Sequence, residues 1–232
     1  MPDAPIHAPE PLEHAPAARE SQSLQAPTTP ARKRPKPGER RVQILQALAS
    51  MLEQPGGERI TTAALASRLD VSEAALYRHF ASKAQMFEGL IEFIEQTVFT
   101  LINQIVEREK EAGDGAPGMG QRQAARVVAM LVQFAEKNPG MARVMVGDAL
   151  VFENERLQQR MNQFFDKIEA TLKQCLRDGA PAHVSSTPTV DAQVCASVLA
   201  AFVGGRLQRF VRSGYKRQPS EHLEASLRVL LG

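Results

Sequence analysis

The stretch TTAALASRLDVSEAALYRHF, residues 61–80, contains two helical segments that are too short to stand alone, joined where Asp70-Val71-Ser72 interrupts the pattern. Isolated helices below about 12–15 residues are marginal in water, so each must be held by its neighbour. Leu65 and Leu69 share one face of the first segment, and Ala64 and Ala66 are small enough to let a second helix cross closely. Asp70 sits where the chain must turn sharply. Such a position suits Gly best and tolerates Asp, whose short side chain bonds local backbone. Ser72 is placed to cap the second segment and Glu73 sits in its first turn, near the positive end of the helix dipole. Leu76 and Phe80, at i and i+4, point inward, which leaves Glu73, Ala74 and Tyr77 outward with Arg78 beside them.

This pattern predicts a helix-turn-helix whose second helix enters the major groove of B-DNA. Tyr77 can offer its hydroxyl to a phosphate or its ring edge to a thymine methyl, while Arg78 and Lys83 can neutralise phosphates. Thr61 and Thr62 open the first segment with hydroxyls and backbone N–H groups facing the same backbone. Small Ala74 lets the helix approach base edges. The candidate DNA-contacting set is therefore Thr61, Thr62, Ser72, Glu73, Ala74, Tyr77, Arg78, His79 and Lys83. The histidine is expected to be packed or hydrogen-bonded rather than to serve as a base or a metal ligand. The plainer alternative is a helical corner with a solvated face.

From Glu39 onward the apolar spacing is helical and no convincing period-2 strand appears, so the chain is read as all-α. Three parts are expected: a Pro-rich, disordered tail over 1–38, a three-helix DNA-binding domain over 39–82, and a helical regulatory and dimerisation domain over 83–232. The tail ends in the basic run ARKRPKPGERR, which reads either as a solvated linker or as an arm following phosphates. Val42, Leu45, Leu48 and Leu52 mark the stripe of the first helix, ended by Gly56-Gly57. Ser82 to Gln85 reads as a capping box. It opens a long helix with a stripe through Met86, Leu90, Phe93, Ile94, Leu101, Ile105 and Val106. A Gly-rich loop spans 113–120. Further helices are expected over 121–137, 141–152, 155–177 and 190–211, and from Ser220, with Asn138 and Pro139 as N-cap and N1 of the second of these.

Composition narrows the function class. Residues 31–88 carry ten Lys/Arg against six Asp/Glu, a net +4, which leaves −2 for the remainder of a chain totalling +2. That bias is modest, so DNA binding rests on geometry. Cys175 and Cys195 make no CxxC pair and are expected as reduced, buried thiols. No run approaches about 18 uninterrupted apolar residues, and the expectation is a cytoplasmic, nucleoid-associated protein with no membrane partner. Metalloprotease, hydrolase-elbow, P-loop and EF-hand spacings are absent from the sequence, so no enzymatic activity, metal or cofactor is expected.

ITTAALASRLDVSEAALYRHFASKAQMF resembles the DNA-binding domain of the TetR family, with LYRHF-x-SK the most specific string. The resemblance implies a homodimer on palindromic double-stranded sites: three N-terminal helices on DNA, a fourth as connector, and a bundle whose last long helices dimerise. Val198, Leu199, Phe202, Val203 and Leu207, with Gly204-Gly205 for close approach, form the stripe expected at that interface. EKNPGMARVMVGDALVFENERLQQRMNQFFDKIEATL and FVGGRLQRFVRSGYKRQP resemble the nucleoid-occlusion branch of the family. This branch implies a second partner, the division GTPase FtsZ, met in the groove between the fourth and fifth helices. Carried across, the contacts are Phe93, Leu101, Met130, Gln133, Lys137 and Asn138. From spacing alone, Met130, Gln133 and Lys137 suit either an extended peptide or a half-buried helix face. The alternative within the family is a ligand-responsive repressor, with a pocket lined by Met161, Phe164, Phe165 and Phe202.

Overall fold

The computed structural model describes residues 38–54, 60–113, 116–178 and 187–232, and all of them fall within one compact unit. Residues 1–37 of the tail expected over 1–38, together with Gly56-Gly57 and Pro181, lie outside the described residues. Among the described residues, nine α-helices run in order: α1 Glu39–Leu52, α2 Thr62–Arg68, α3 Glu73–Tyr77, α4 Lys83–Gly113, α5 Met119–Lys137, α6 Pro139–Met145, α7 Glu155–Asp178, α8 Pro188–Arg212 and α9 Leu223–Leu231. A 3-10 turn, Asp148–Leu150, separates α6 from α7, and no strand occurs among the described residues.

The bundle forms because each long helix carries a stripe that water disfavours. In α7 the buried side chains Leu157, Met161, Phe164, Ile168 and Leu172 recur every three or four residues and pack mainly on α8 and α5. Each large apolar side chain removed from water contributes about 1.5–3 kcal/mol. Phe164 is fully buried and meets Phe99 and Phe165 edge to face, with ring centroids 5.8 and 5.3 Å apart. Phe164 and Met161 are thus core residues. Helix α5 lies at the centre, packed by α4, α6, α7, α8 and α9.

Local readings are corrected in four places. In α1 the buried stripe is Ile44, Leu48 and Leu52, while Val42 is exposed, because the face turned inward is set by α4 and α6. The helix expected over 141–152 stops at Met145, since Gly147 takes φ 79° and ends it. Asn138 precedes Pro139 at N1 as expected, but its amide donates to the Phe134 carbonyl at 2.8 Å, closing α5 instead of capping α6. At Ser82 the hydroxyl accepts from the Gln85 N–H as a capping box requires, whereas the Gln85 side chain accepts from Ala81 rather than from Ser82.

Helix α8 has two apolar faces. Leu199, Val203 and Leu207 are buried within the chain, so the interface stripe expected from sequence is largely core. The outward stripe is Val190, Val194, Val198, Ala201 and Gly205, and a Cβ placed on Gly204 or Gly205 would meet nothing within 4 Å. Carrying both faces makes Pro188–Arg212 long and apolar enough, by length and composition, to match a membrane span.

Candidate nucleic-acid interface

The turn between α2 and α3 is built as its residues dictate. Asp70 adopts φ 54°, the left-handed region that its side chain tolerates. Thr61 caps α2 by accepting from the Ala64 N–H at 3.1 Å, and Ser72 caps α3 by accepting from Ala75 at 3.3 Å. Between the two caps, the Thr62 hydroxyl donates to the Glu73 carboxylate at 2.5 Å and ties the start of α2 to the start of α3. Leu65, Ala66, Leu76 and Phe80 are buried beneath this pair. Arg41 of α1 stacks over the Phe80 ring at 4.1 Å and donates to the His79 carbonyl at 2.9 Å, locking α1 against the end of the motif.

What remains outward lies on α3 and the residues at its two ends. Ser72, Glu73, Ala74, Tyr77, Arg78 and His79 are all exposed, with Tyr77 at 45%. Of the expected packed or hydrogen-bonded states of His79 the packed one does not occur, since the residue is exposed and its backbone carbonyl accepts from Arg41. Thr61 is exposed, while the Thr62 hydroxyl is already engaged by Glu73. Lys83, at the first turn of α4, differs most from its expected role: its ammonium is ion-paired with Glu153, across 70 residues of sequence, and 19% of its side chain is exposed. The arrangement offers a hydroxyl-bearing aromatic, a guanidinium and a small residue at exposed positions of one short helix and its C-cap, the chemistry of groove entry and phosphate contact.

A second surface lies on α4 and α5. Glu109, buried at 2%, pairs with Arg122 at 3.3 Å and Arg126 at 2.5 Å, and Gln123 donates to the Val106 carbonyl at 3.2 Å. These contacts tie the end of α4 to the start of α5, and the two helices pack against each other. Phe93 departs from the stripe expected to be buried in α4, being 46% exposed. Gln133 and Lys137 are exposed, and Leu101, Met130 and Asn138 are half-buried, so all six residues are at least partly accessible.

The head and body are joined through the end of α1. The Tyr215 hydroxyl donates to the Leu52 carbonyl at 3.0 Å, and Arg143 reaches the Leu52 and Gln54 carbonyls at 3.4 Å each. Burial pushes the Tyr215 phenol above its ordinary value, so the hydroxyl remains a donor through neutral pH. Among the described residues no cluster of His, Cys, Asp and Glu could hold a metal.

Comparison with known proteins identifies the family and the fold. Residues 44–90 match the family described as bacterial regulatory proteins, tetR family, and residues 122–231 match the SlmA-like family described as tetracyclin repressor-like, C-terminal domain. The nucleoid occlusion factor SlmA of Idiomarina loihiensis is 49% identical over 191 residues, covering 82% of this chain and 93% of that protein. The factor of the same name from Vibrio vulnificus strain YJ016 is 50% identical over 190 residues, covering 82% and 92%. Among solved structures, a transcriptional regulator FadR from Bacillus subtilis, in complex with stearoyl-CoA, aligns with TM-score 0.62 at 15% identity over 82% of this chain and 97% of that one. A TetR-family regulator from Mesorhizobium loti aligns with TM-score 0.61 at 18% identity, over 85% and 98%. At those identities the structural likeness speaks to fold alone.

Proposed function

The chain belongs to the TetR-family nucleoid occlusion factors of the SlmA type, and from that membership we propose that it holds FtsZ-antagonising dimers at palindromic chromosomal sites, blocking division-ring assembly over the nucleoid. It is a non-enzymatic DNA-binding protein of TetR fold. On this reading α3 enters the major groove, with Tyr77 and Arg78 on base edges and phosphates, and Thr61 and the N-terminus of α2 on the flanking phosphate. Ala74 leaves room for the approach. Lys83 contributes by holding Glu153, which fixes α4 against the loop leading into α7.

Two heads can match two half-sites only if their separation is fixed. The outward stripe of α8 supports that requirement, since Val190 and Val194 are each 58% exposed and an apolar face of this extent gains by burial against a second copy.

The observation that supports the FtsZ reading is the exposed phenyl ring of Phe93 on α4, with Lys137 exposed and Asn138 half-buried at the end of α5, a helix packed against α4. An exposed aromatic on one helix, with a cation and a polar amide on the helix packed against it, has the composition of a peptide anchor. The test is light scattering of FtsZ polymers with the protein, in the presence and absence of a duplex selected for binding. Loss of polymer that deepens with the selected duplex supports the proposal; scattering identical with and without the protein removes it.

A further inference from the structure

The last turns of α8 and the loop that follows carry a charge that the helix-turn-helix does not explain. Residues 206–217, RLQRFVRSGYKR, hold five cations and no acid, more than the net +2 of the entire chain. Four of them, Arg206, Arg209, Lys216 and Arg217, line an open basin of about 740 Å³ together with Gln218, Glu221 and His222. Arg206 is committed to structure, donating to the Glu221 carbonyl at 2.6 Å and to Ser226 at 3.0 Å, with its guanidinium 4.8 Å from the Phe202 ring centroid. Among the described residues, Arg209, Lys216 and Arg217 form no ion pair. The negative end of the α8 dipole accounts for Arg209 and Arg212, but Lys216 and Arg217 lie beyond the helix.

The loop is nevertheless well anchored. Arg217 donates its backbone N–H to Ser213 at 2.9 Å, Ser220 meets Glu136 of α5, and Tyr215 bonds the end of α1. The loop that lines the basin is therefore tied to α1, which leads along the chain into α2. Four of the residues that line it are cations and one, Glu221, is an acid, a charge balance suited to phosphates.

We propose that this basin is a second nucleic-acid contact, binding the phosphate backbone of duplex DNA beyond the bases read by α3. The proposal rests on the DNA-binding reading above, and the test separates the two. Affinity of the full-length protein is measured across a salt series on a short duplex holding only the recognised site and on a long duplex with flanks, for wild type and for Lys216→Glu/Arg217→Glu. On the long duplex the double variant is expected to bind at least 10-fold more weakly at low salt. Its dependence of log K on log salt should flatten by about 0.9 for each phosphate that is no longer neutralised, about 3.6 for a dimer that releases four. On the short duplex it should match wild type, and Lys216→Gln/Arg217→Gln should lie between on the long one. Equal affinity and slope on the long duplex overturns the proposal, and normal binding to the short duplex then leaves the α3 reading standing. DNA binding unchanged on both lengths with FtsZ antagonism abolished also overturns it, and assigns the basin to a protein partner.

Discussion

Gly140 of α6 lies so close to Ala49 of α1 that a Cβ added to it would sit 2.0 Å from the Ala49 carbonyl oxygen. No side chain fits there, and the obstacle is backbone, which cannot rotate away. This contact, with Tyr215 and Arg143 on the Leu52 carbonyl, fixes the orientation of the head against the body. Gly140→Ala must part the two helices, at the roughly 1–3 kcal/mol typical of overpacking. The expected result is a Tm lower by about 2–4 °C for each kcal/mol, together with weaker binding to a palindromic duplex. A variant with unchanged Tm and affinity would show that α1 and α6 are not held this closely.

Tyr77→Ala should weaken binding to a selected duplex at least 10-fold, while thermal unfolding stays within about 1 °C of wild type. The ring is 45% exposed and little of the core depends on it. Titration and calorimetry on the same preparation check both halves.

Lys83 and Arg78 should separate in a way that the sequence alone does not suggest. Removing Lys83 leaves Glu153, whose side chain is only 8% exposed, without that cation, and loss of one partner of a partly buried pair destabilises. Lys83→Ala is therefore expected to lower Tm. Arg78→Ala, at an exposed position, should leave Tm in place and flatten the salt dependence of DNA binding by about 0.9 per protomer.

On α4 and α5, Phe93→Ala and Lys137→Asp are each expected to reduce FtsZ antagonism while preserving DNA affinity, because both side chains lie outside the core. Cosedimentation with FtsZ polymers, run beside a DNA titration, measures the two activities on one sample. Equal cosedimentation by wild type and both variants would take this strip out of the interface.

Alkaline stability gives a prediction with a fixed sign. Burial pushes the Cys175 thiol from about 9.0 up to about 11, and burial raises Cys195 and Tyr215 as well. Because the folded state holds the Cys175 proton to higher pH than the unfolded chain does, the stability from that group is present below about pH 9 and is lost as pH rises toward 11. Denaturant unfolding at pH 8, 9, 10 and 11 should show the decline, and Cys175→Ala should flatten part of it.

The helix-turn-helix was legible because every residue in it answers a local demand: Asp70 for positive φ, Thr61 and Ser72 for caps, Leu76 and Phe80 for burial. Features decided by partners distant in sequence were not. Nothing near Lys83 announces Glu153, and nothing near Phe93 says that it faces away from the core. Helix α8 shows why periodicity has limits: with two apolar faces, the pattern alone could not tell Leu199 and Val203, which face inward, from Val190 and Val194, which do not. The cationic run at 206–217 was visible, yet its spacing resembles an ordinary helix end until the loop is seen to fold back around it.

Insertion of α3 into the groove is tested most directly by crosslinking. A photocrosslinking residue, p-azidophenylalanine, in place of Tyr77 should attach to bases of a selected palindromic duplex at two symmetry-related positions, one per half-site. Retained tight binding with no crosslink to DNA, or crosslinks scattered without symmetry, would contradict that placement.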